Sequence, residues 1–154
     1  FVSDEKFLAL KQKSAFLESA EVFGHSYGTS KADVASMLAS DDVVLEIEWQ
    51  GARQVMKHKE FDILSIYIVP PSLSSLEQRL RKRAEDSDEV IANRLKQAKD
   101  DLMHCDEHDF VVINDDFDAA ADCLRSIVVA NRCAKLPYSD MLSKLLSGEK
   151  LDKP

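Results

Sequence analysis

ILSIYIVPPS, residues 63–72, is an apolar run of strand length that ends abruptly on Pro70 and Pro71. Ile63 to Val69 is rich in β-branched residues, which suit a pleated strand, and a proline cannot donate to a ladder. Ser72 then offers a hydroxyl to cap a helix running from Ser74 to Arg83. The same order, strand then helix, recurs on both sides. Upstream, Val43, Val44, Leu45 and Ile47 form a short apolar strand, with a helix from Gly51 to about His58. Downstream, Phe110 to Ile113 reads as a strand and about Asp118 to Ala134 as a helix. Strands alternating with helices predict an α/β fold with a parallel sheet.

Between the second and third of these strands lie two helices, Ser74 to Arg83 and Ser87 to about Cys105, joined by the acidic turn Glu85, Asp86. They read as a separate flap. Before Asp42 the grammar differs. Ser3 caps a helix carrying Phe7, Leu8 and Leu10 on one side and ending near Ser14. Phe16 to Phe23 then reads as a strand with Phe16, Glu18, Ala20 and Val22 on one side and Leu17, Ser19, Glu21 and Phe23 on the other. Gly24 to Gly28 reads as a flexible turn, and Ser30 with Asp33 resembles a capping box opening a helix to Ala39. After Pro137, the spacing of Tyr138, Met141, Leu142, Leu145 and Leu146 predicts a last amphipathic helix docked on the body.

The 154 residues suffice for one domain or a large part of one. Hydrophobic residues at 45% leave enough apolar material for a core, so a disordered chain is a poor reading. A net charge of −8 argues against a nucleic-acid or anionic-membrane coat, so neither partner is expected and any phosphate must be met locally. No apolar run approaches the roughly 20 residues that cross a bilayer. Cys105, Cys123 and Cys133 are odd in number and lack C-x-x-C spacing, which suits a reducing cytoplasm better than a disulfide scaffold or zinc knuckle.

Against this acidic background residues 79–99 are net positive. Arg79, Arg81, Lys82, Arg83, Arg94, Lys96 and Lys99 outnumber Glu85, Asp86, Asp88 and Glu89. Arg79 and Arg83 stand four apart, where like charges repel by roughly 0.2–0.5 kcal/mol unless an anion lies between them. Arginine also makes forked contacts with phosphate oxygens. The plain alternative is a solvated helix face salted with Glu77 and Glu85. Glu46 and Glu48 flank Ile47 at the carboxyl end of a strand, where α/β sheets gather ligands, and could hold a hydrated magnesium ion or orient a sugar. Spacing alone favours an edge strand with one wet face. Asn114, Asp115 and Asp116 close their strand similarly, as site residues or as a turn and cap. His25, His58, His104 and His108 have no ligand spacing, so no metal-binding side chains are assigned. The G-x-x-x-x-G-K-[ST] phosphate loop is absent from these residues.

Three separated stretches, taken together, resemble the guanylate kinase family: FLESAEVF at 16–23 followed by GHSYGTS at 24–30, LEIEWQG at 45–51, and VINDD at 112–116. Their order matches, as do Arg79, Arg83 and Arg94 in the flap, and the similarity runs from Phe1 to about Cys133. The resemblance implies a P-loop kinase-type parallel sheet flanked by helices, with a small GMP-binding α+β segment and a helical lid. It divides the chain into residues 1–40 (remainder of the GMP-binding segment), 41–71 (core), 72–105 (lid and adjoining helices) and 106–154 (core and C-terminal helices).

The implied reaction is transfer of the terminal phosphate of ATP, with Mg2+, to GMP. Position by position, Glu18 and Thr29 would read the guanine edge and Tyr27 would touch the GMP phosphate. Arg79, Arg83 and Arg94 would close on the transferred phosphate, and Asn114 would sit by the adenine nucleotide. Glu46 and Glu48 stand where the family commonly has two aspartates near GMP and the magnesium shell. One extra methylene each keeps the charge. The family's first strand, phosphate loop and GMP-phosphate arginines are expected to precede Phe1, so the expectation is a portion of a longer enzyme that is itself inactive. The competing reading is a non-catalytic guanylate-kinase-like module that binds peptides. A different nucleotide kinase of the same fold is disfavoured by Glu18 with Thr29. Leu142, Leu145 and Leu146 pack within one chain or across two, which leaves a homodimer open.

Overall fold

Serine hydroxyls begin most of the helices. In the computed structural model, which describes residues 2–22, 25–82, 87–134 and 138–150, the Ser3 Oγ accepts from the N–H of Lys6 to start α1 (Asp4–Gln12). Ser30 does the same for Asp33 at the head of α2 (Lys31–Met37). Ser72 caps α4 (Leu73–Lys82) through Ser75 N–H, and Ser87 caps α5 (Asp88–Leu102) through Val90 N–H. Each hydroxyl satisfies a backbone donor that the first turn leaves without a partner. The remaining elements are β1 (Phe16–Val22), β2 (His25–Ser30), α3 (Trp49–Val55), β3 (Ile66–Val69), β4 (Phe110–Ile113), α6 (Phe117–Ala134) and α7 (Tyr138–Ser147). The chain divides into two compact units, residues 1–63 and 64–154.

In the first unit β1 and β2 form an antiparallel hairpin. The stretch expected to be a turn, Gly24 to Gly28, is instead largely strand: His25 to Gly28 pair with Val22 to Ser19. Phe23 and Gly24 lie outside the described residues. Glycine misled here because Gly28 serves close approach: a Cβ there would come within 3.0 Å of the Phe16 ring and 3.2 Å of the Glu18 carbonyl. Phe16 in turn stacks on Phe7 of α1, ring centroids 4.8 Å apart.

A second difference concerns residues 43–48. They are extended and alternate inward and outward, but no strand among the described residues pairs with them, so they form no ladder. Val43, Leu45 and Ile47 pack on the core of Leu17, Val34 and Val55, together with Phe61 and Ile63. Glu46 and Glu48 point the other way and are exposed, as their spacing requires. Burial of the inward row accounts for the alternation.

In the second unit β3 and β4 run parallel, Ile66 opposite Phe110 and Val69 opposite Ile113. A parallel pair needs a long crossover, here α4 and α5, which pack on each other. Ser65 and Asp109 set the register. The Asp109 carboxylate accepts from both the N–H and the hydroxyl of Ser65 at 2.8 Å, and the Ser65 Oγ accepts from Asp109 N–H at 2.9 Å. α6 packs against β4, where Val112 and Ala120 are buried. The expected docking of the last helix is not met by its leucines: Leu142, Leu145 and Leu146 are all exposed. Among the described residues no helix is long and apolar enough to cross a membrane.

Candidate active site

A β-bulge determines what β1 presents. Phe16 lies opposite Ser30 and Glu18 opposite Thr29, so Leu17 is an extra residue in the ladder. Strict alternation would put Leu17 and Glu18 on opposite faces. The bulge re-aims the strand so that both are buried, Leu17 in the apolar core and Glu18 at 7% exposure. A buried carboxylate needs polar partners. Its Oε1 accepts from the Thr29 hydroxyl at 2.5 Å, which is a charge-assisted bond. Its Oε2 faces α3: a Cβ on Gly51 would sit 3.4 Å from that oxygen and 3.3 Å from the Cβ of Ile47. Glycine at this position lets the helix come close to the carboxylate.

Glu18 also lines a cleft of about 380 Å³ with Ser19, Gln54, Lys11, Lys31, Lys57 and His58. Lys11 lies in the last turn of α1 and Lys57 follows α3, where positive charge complements the helix C-terminus. His58 meets the Glu60 carboxylate at 3.1 Å. Glu60 is held below its ordinary pKa by its own backbone hydrogen bond first, then by His58 and the Lys31 charge.

Tyr27 stands on β2 opposite Ala20 and is 56% exposed. The structure thus brings together Glu18 and Thr29, with Tyr27 two residues along the same strand and facing water. Glu48 is the N-cap residue of α3 but gives it no side-chain hydrogen bond, so its carboxylate is not spent on capping.

In the second unit Arg79 reaches the residue that follows Asn114. The Arg79 Nη2 donates to the Asp115 carbonyl at 3.1 Å, and the Asn114 N–H donates to the Val69 carbonyl at 2.8 Å. α4 is thereby tied to the loop leaving β4, at the carboxyl ends of both strands. Arg94 is exposed on α5. Arg83 lies outside the described residues. Arg81 follows the plain reading of the basic flap: it binds Glu77 at 2.9 Å and Asp88 at 2.6 Å. Those contacts hold α4 to the start of α5.

A family model for guanylate kinase matches residues 1–131. Guanylate kinase from Legionella pneumophila is 45% identical over 148 residues, covering 96% of this chain and 70% of the relative. That from Hahella chejuensis is 53% identical over 133 residues, covering 86% of this chain and 64% of the relative. Among solved structures, guanylate kinase from Anaplasma phagocytophilum superposes with a TM-score of 0.70 at 30% identity, over 94% of this chain and 72% of that one. The chain belongs to the guanylate kinase family. Its parallel β3–β4 pair with flanking helices is consistent with the P-loop kinase fold.

Two residues beside Glu18 escaped sequence reasoning as candidates for the site. Gly51 was read as a helix start and as the end of the LEIEWQG stretch, and its closeness to Glu18 depends on how α3 packs. Gln54 was not singled out, although it stands one residue before the buried Val55 and three after the buried Gly51. A polar side chain next to a helix's buried face must find partners, and that was the available signal.

Proposed function

We propose that the protein catalyses ATP-dependent phosphorylation of GMP, giving GDP and ADP. The observation that carries this reading is the buried Glu18 carboxylate, held by Thr29 and left with acceptor capacity. Guanine offers a ring N–H and an amino group on one edge, both donors. Adenine places an acceptor at that ring position and leaves the carboxylate poorly matched, at a cost of about 1–3 kcal/mol.

The remaining roles follow the family resemblance. Tyr27 donates its exposed phenol to the GMP phosphate. Arg79, Arg83 and Arg94 neutralise charge on the transferred phosphoryl group, where the protein's contribution is mainly positioning and electrostatic stabilisation. Asn114 contacts the adenine nucleotide. Residues 1–40 act as the GMP-binding segment, 72–105 as the lid, and 41–71 with 106–154 as the core.

Mg2+ enters with ATP as the co-substrate, as the family resemblance implies. Glu46 and Glu48, exposed on one side of an extended segment, suit contact with its bound water or with GMP. When bound, the ion neutralises phosphate charge and orients the transferred group. Free cysteines at Cys105, Cys123 and Cys133 support a cytoplasmic location.

The test is ADP release by the full-length protein with GMP, AMP or dTMP as acceptor. GMP is expected to be preferred by at least about a hundredfold in kcat/KM. Equal use of AMP would overturn the role of Glu18, and no turnover with any acceptor would overturn the kinase reading.

A further inference from the structure

Gln54 occupies an unusual position for a helix glutamine. Its carboxamide meets a single residue twice: Oε1 accepts from the Ser19 N–H at 3.1 Å, and Nε2 donates to the Ser19 carbonyl at 3.2 Å. A second donor interaction of Nε2 goes to the Gln50 carbonyl, one turn back in α3, at 3.3 Å. In an antiparallel ladder alternate residues turn their N–H and C=O away from the partner strand. The Ser19 groups turn toward α3, and Gln54 pairs them as a neighbouring strand would.

Ser19 is the residue after Glu18 and two past the bulged Leu17. A bulge disrupts the ladder locally, and a one-residue slip would send every following side chain to the opposite face. Gly51 on the same helix lies against the Glu18 carboxylate. α3 therefore fixes both the backbone beside Glu18 and the space its oxygen occupies.

We infer that Gln54 is a positioning residue for the guanine-reading carboxylate, holding β1 in the register that buries Glu18 beside Thr29. The inference rests on the proposed role of Glu18. Gln54 acts only through β1 and is not itself assigned a contact with substrate.

Steady-state kinetics of the full-length protein test it. Gln54→Met keeps the length and removes the hydrogen bonds, and Gln54→Glu keeps an acceptor for the Ser19 N–H but sets an oxygen against the Ser19 carbonyl. Both are expected to raise KM for GMP about tenfold while KM for ATP and kcat change less than about threefold. Gln54→Glu covers the case in which the methionine variant fails to fold. A KM for GMP within twofold of the parent in a folded variant, or an equal rise in both KM values, overturns the inference. Glu18→Gln is measured alongside. If it raises KM for GMP and the Gln54 variants do not, only the positioning role fails; if Glu18→Gln also leaves it unchanged, the guanine reading fails first.

Discussion

Glu18 shows how a single side chain can be recognised in a sequence before its geometry is known. Its place within FLESAEVF was legible as a carboxylate among apolar neighbours. The bulge that buries it together with Leu17 was not, because alternation assumes an unbroken ladder. Thr29, eleven residues on, is adjacent only through the hairpin. Replacing Glu18 by Gln removes the charge and turns one acceptor into a donor facing guanine donors. The GMP preference over AMP is then expected to fall by about ten- to a hundredfold, chiefly through KM for GMP; retained preference in the competition assay would contradict this.

Tyr67 provides a residue-scale test of stability. Its hydroxyl donates to the Asp101 carbonyl at 2.9 Å, and its ring meets His108 edge-on at 4.9 Å. Burial pushes its pKa above the ordinary value, with the charges of Asp101 and Cys105 adding to the shift. A raised folded-state pKa means the stabilising contribution is complete below the unfolded value, about 10, and is lost as pH climbs above it. Tyr67→Phe is expected to be about 0.5–1.5 kcal/mol less stable at pH 8. The gap should narrow as pH rises past about 10, and a constant gap in denaturant titrations through that rise would refute the linkage.

At the scale of elements, local chemistry was readable and pairing was not. The caps at Ser3, Ser30 and Ser72 follow from hydroxyls preceding apolar periodicity, and all three are present; Ser87, expected as the first residue of its helix, caps α5 instead. β4 and α6 lie within a residue of their expected bounds, since an apolar run followed by Asn and Asp has few alternatives. β2 was missed because a strand holding Gly28 owes its stability to Phe16 and the opposite strand rather than to its own propensity. Residues 43–48 show the converse: apolar alternation reports burial, and only a neighbour makes it a strand. The end of α1 shows a feature with a direct test. Ser14 has φ +52°, Ala15 N–H bonds the Leu10 carbonyl and Ser14 N–H bonds that of Lys11, which is a Schellman closure. That conformation favours glycine. Ser14→Gly is expected to raise stability by about 0.5–1 kcal/mol, read as a higher urea midpoint with unchanged slope; a lower midpoint would show that the Ser14 side chain contributes more than its backbone costs.

For the whole molecule, the division into two units gives each proposed substrate a different address. The residues assigned to GMP, Glu18, Tyr27, Thr29, Glu46 and Glu48, fall within residues 1–63, and those assigned to ATP and the transferred phosphate within 64–154. A ligand protects the region it binds by stabilising the closed form against local opening, by about 2.7 kcal/mol at a hundredfold excess over Kd. GMP alone should therefore slow amide exchange mainly in β1, β2 and α3, by up to about a hundredfold where local opening governs exchange. ATP with magnesium should slow it mainly around β3, β4 and the Asn114 to Asp116 loop. Hydrogen exchange of the full-length protein with each nucleotide in turn distinguishes the two patterns. Protection by GMP confined to β3 and β4 would reverse the substrate assignment of the units, because Glu18 would then be buried for packing rather than for reading a base.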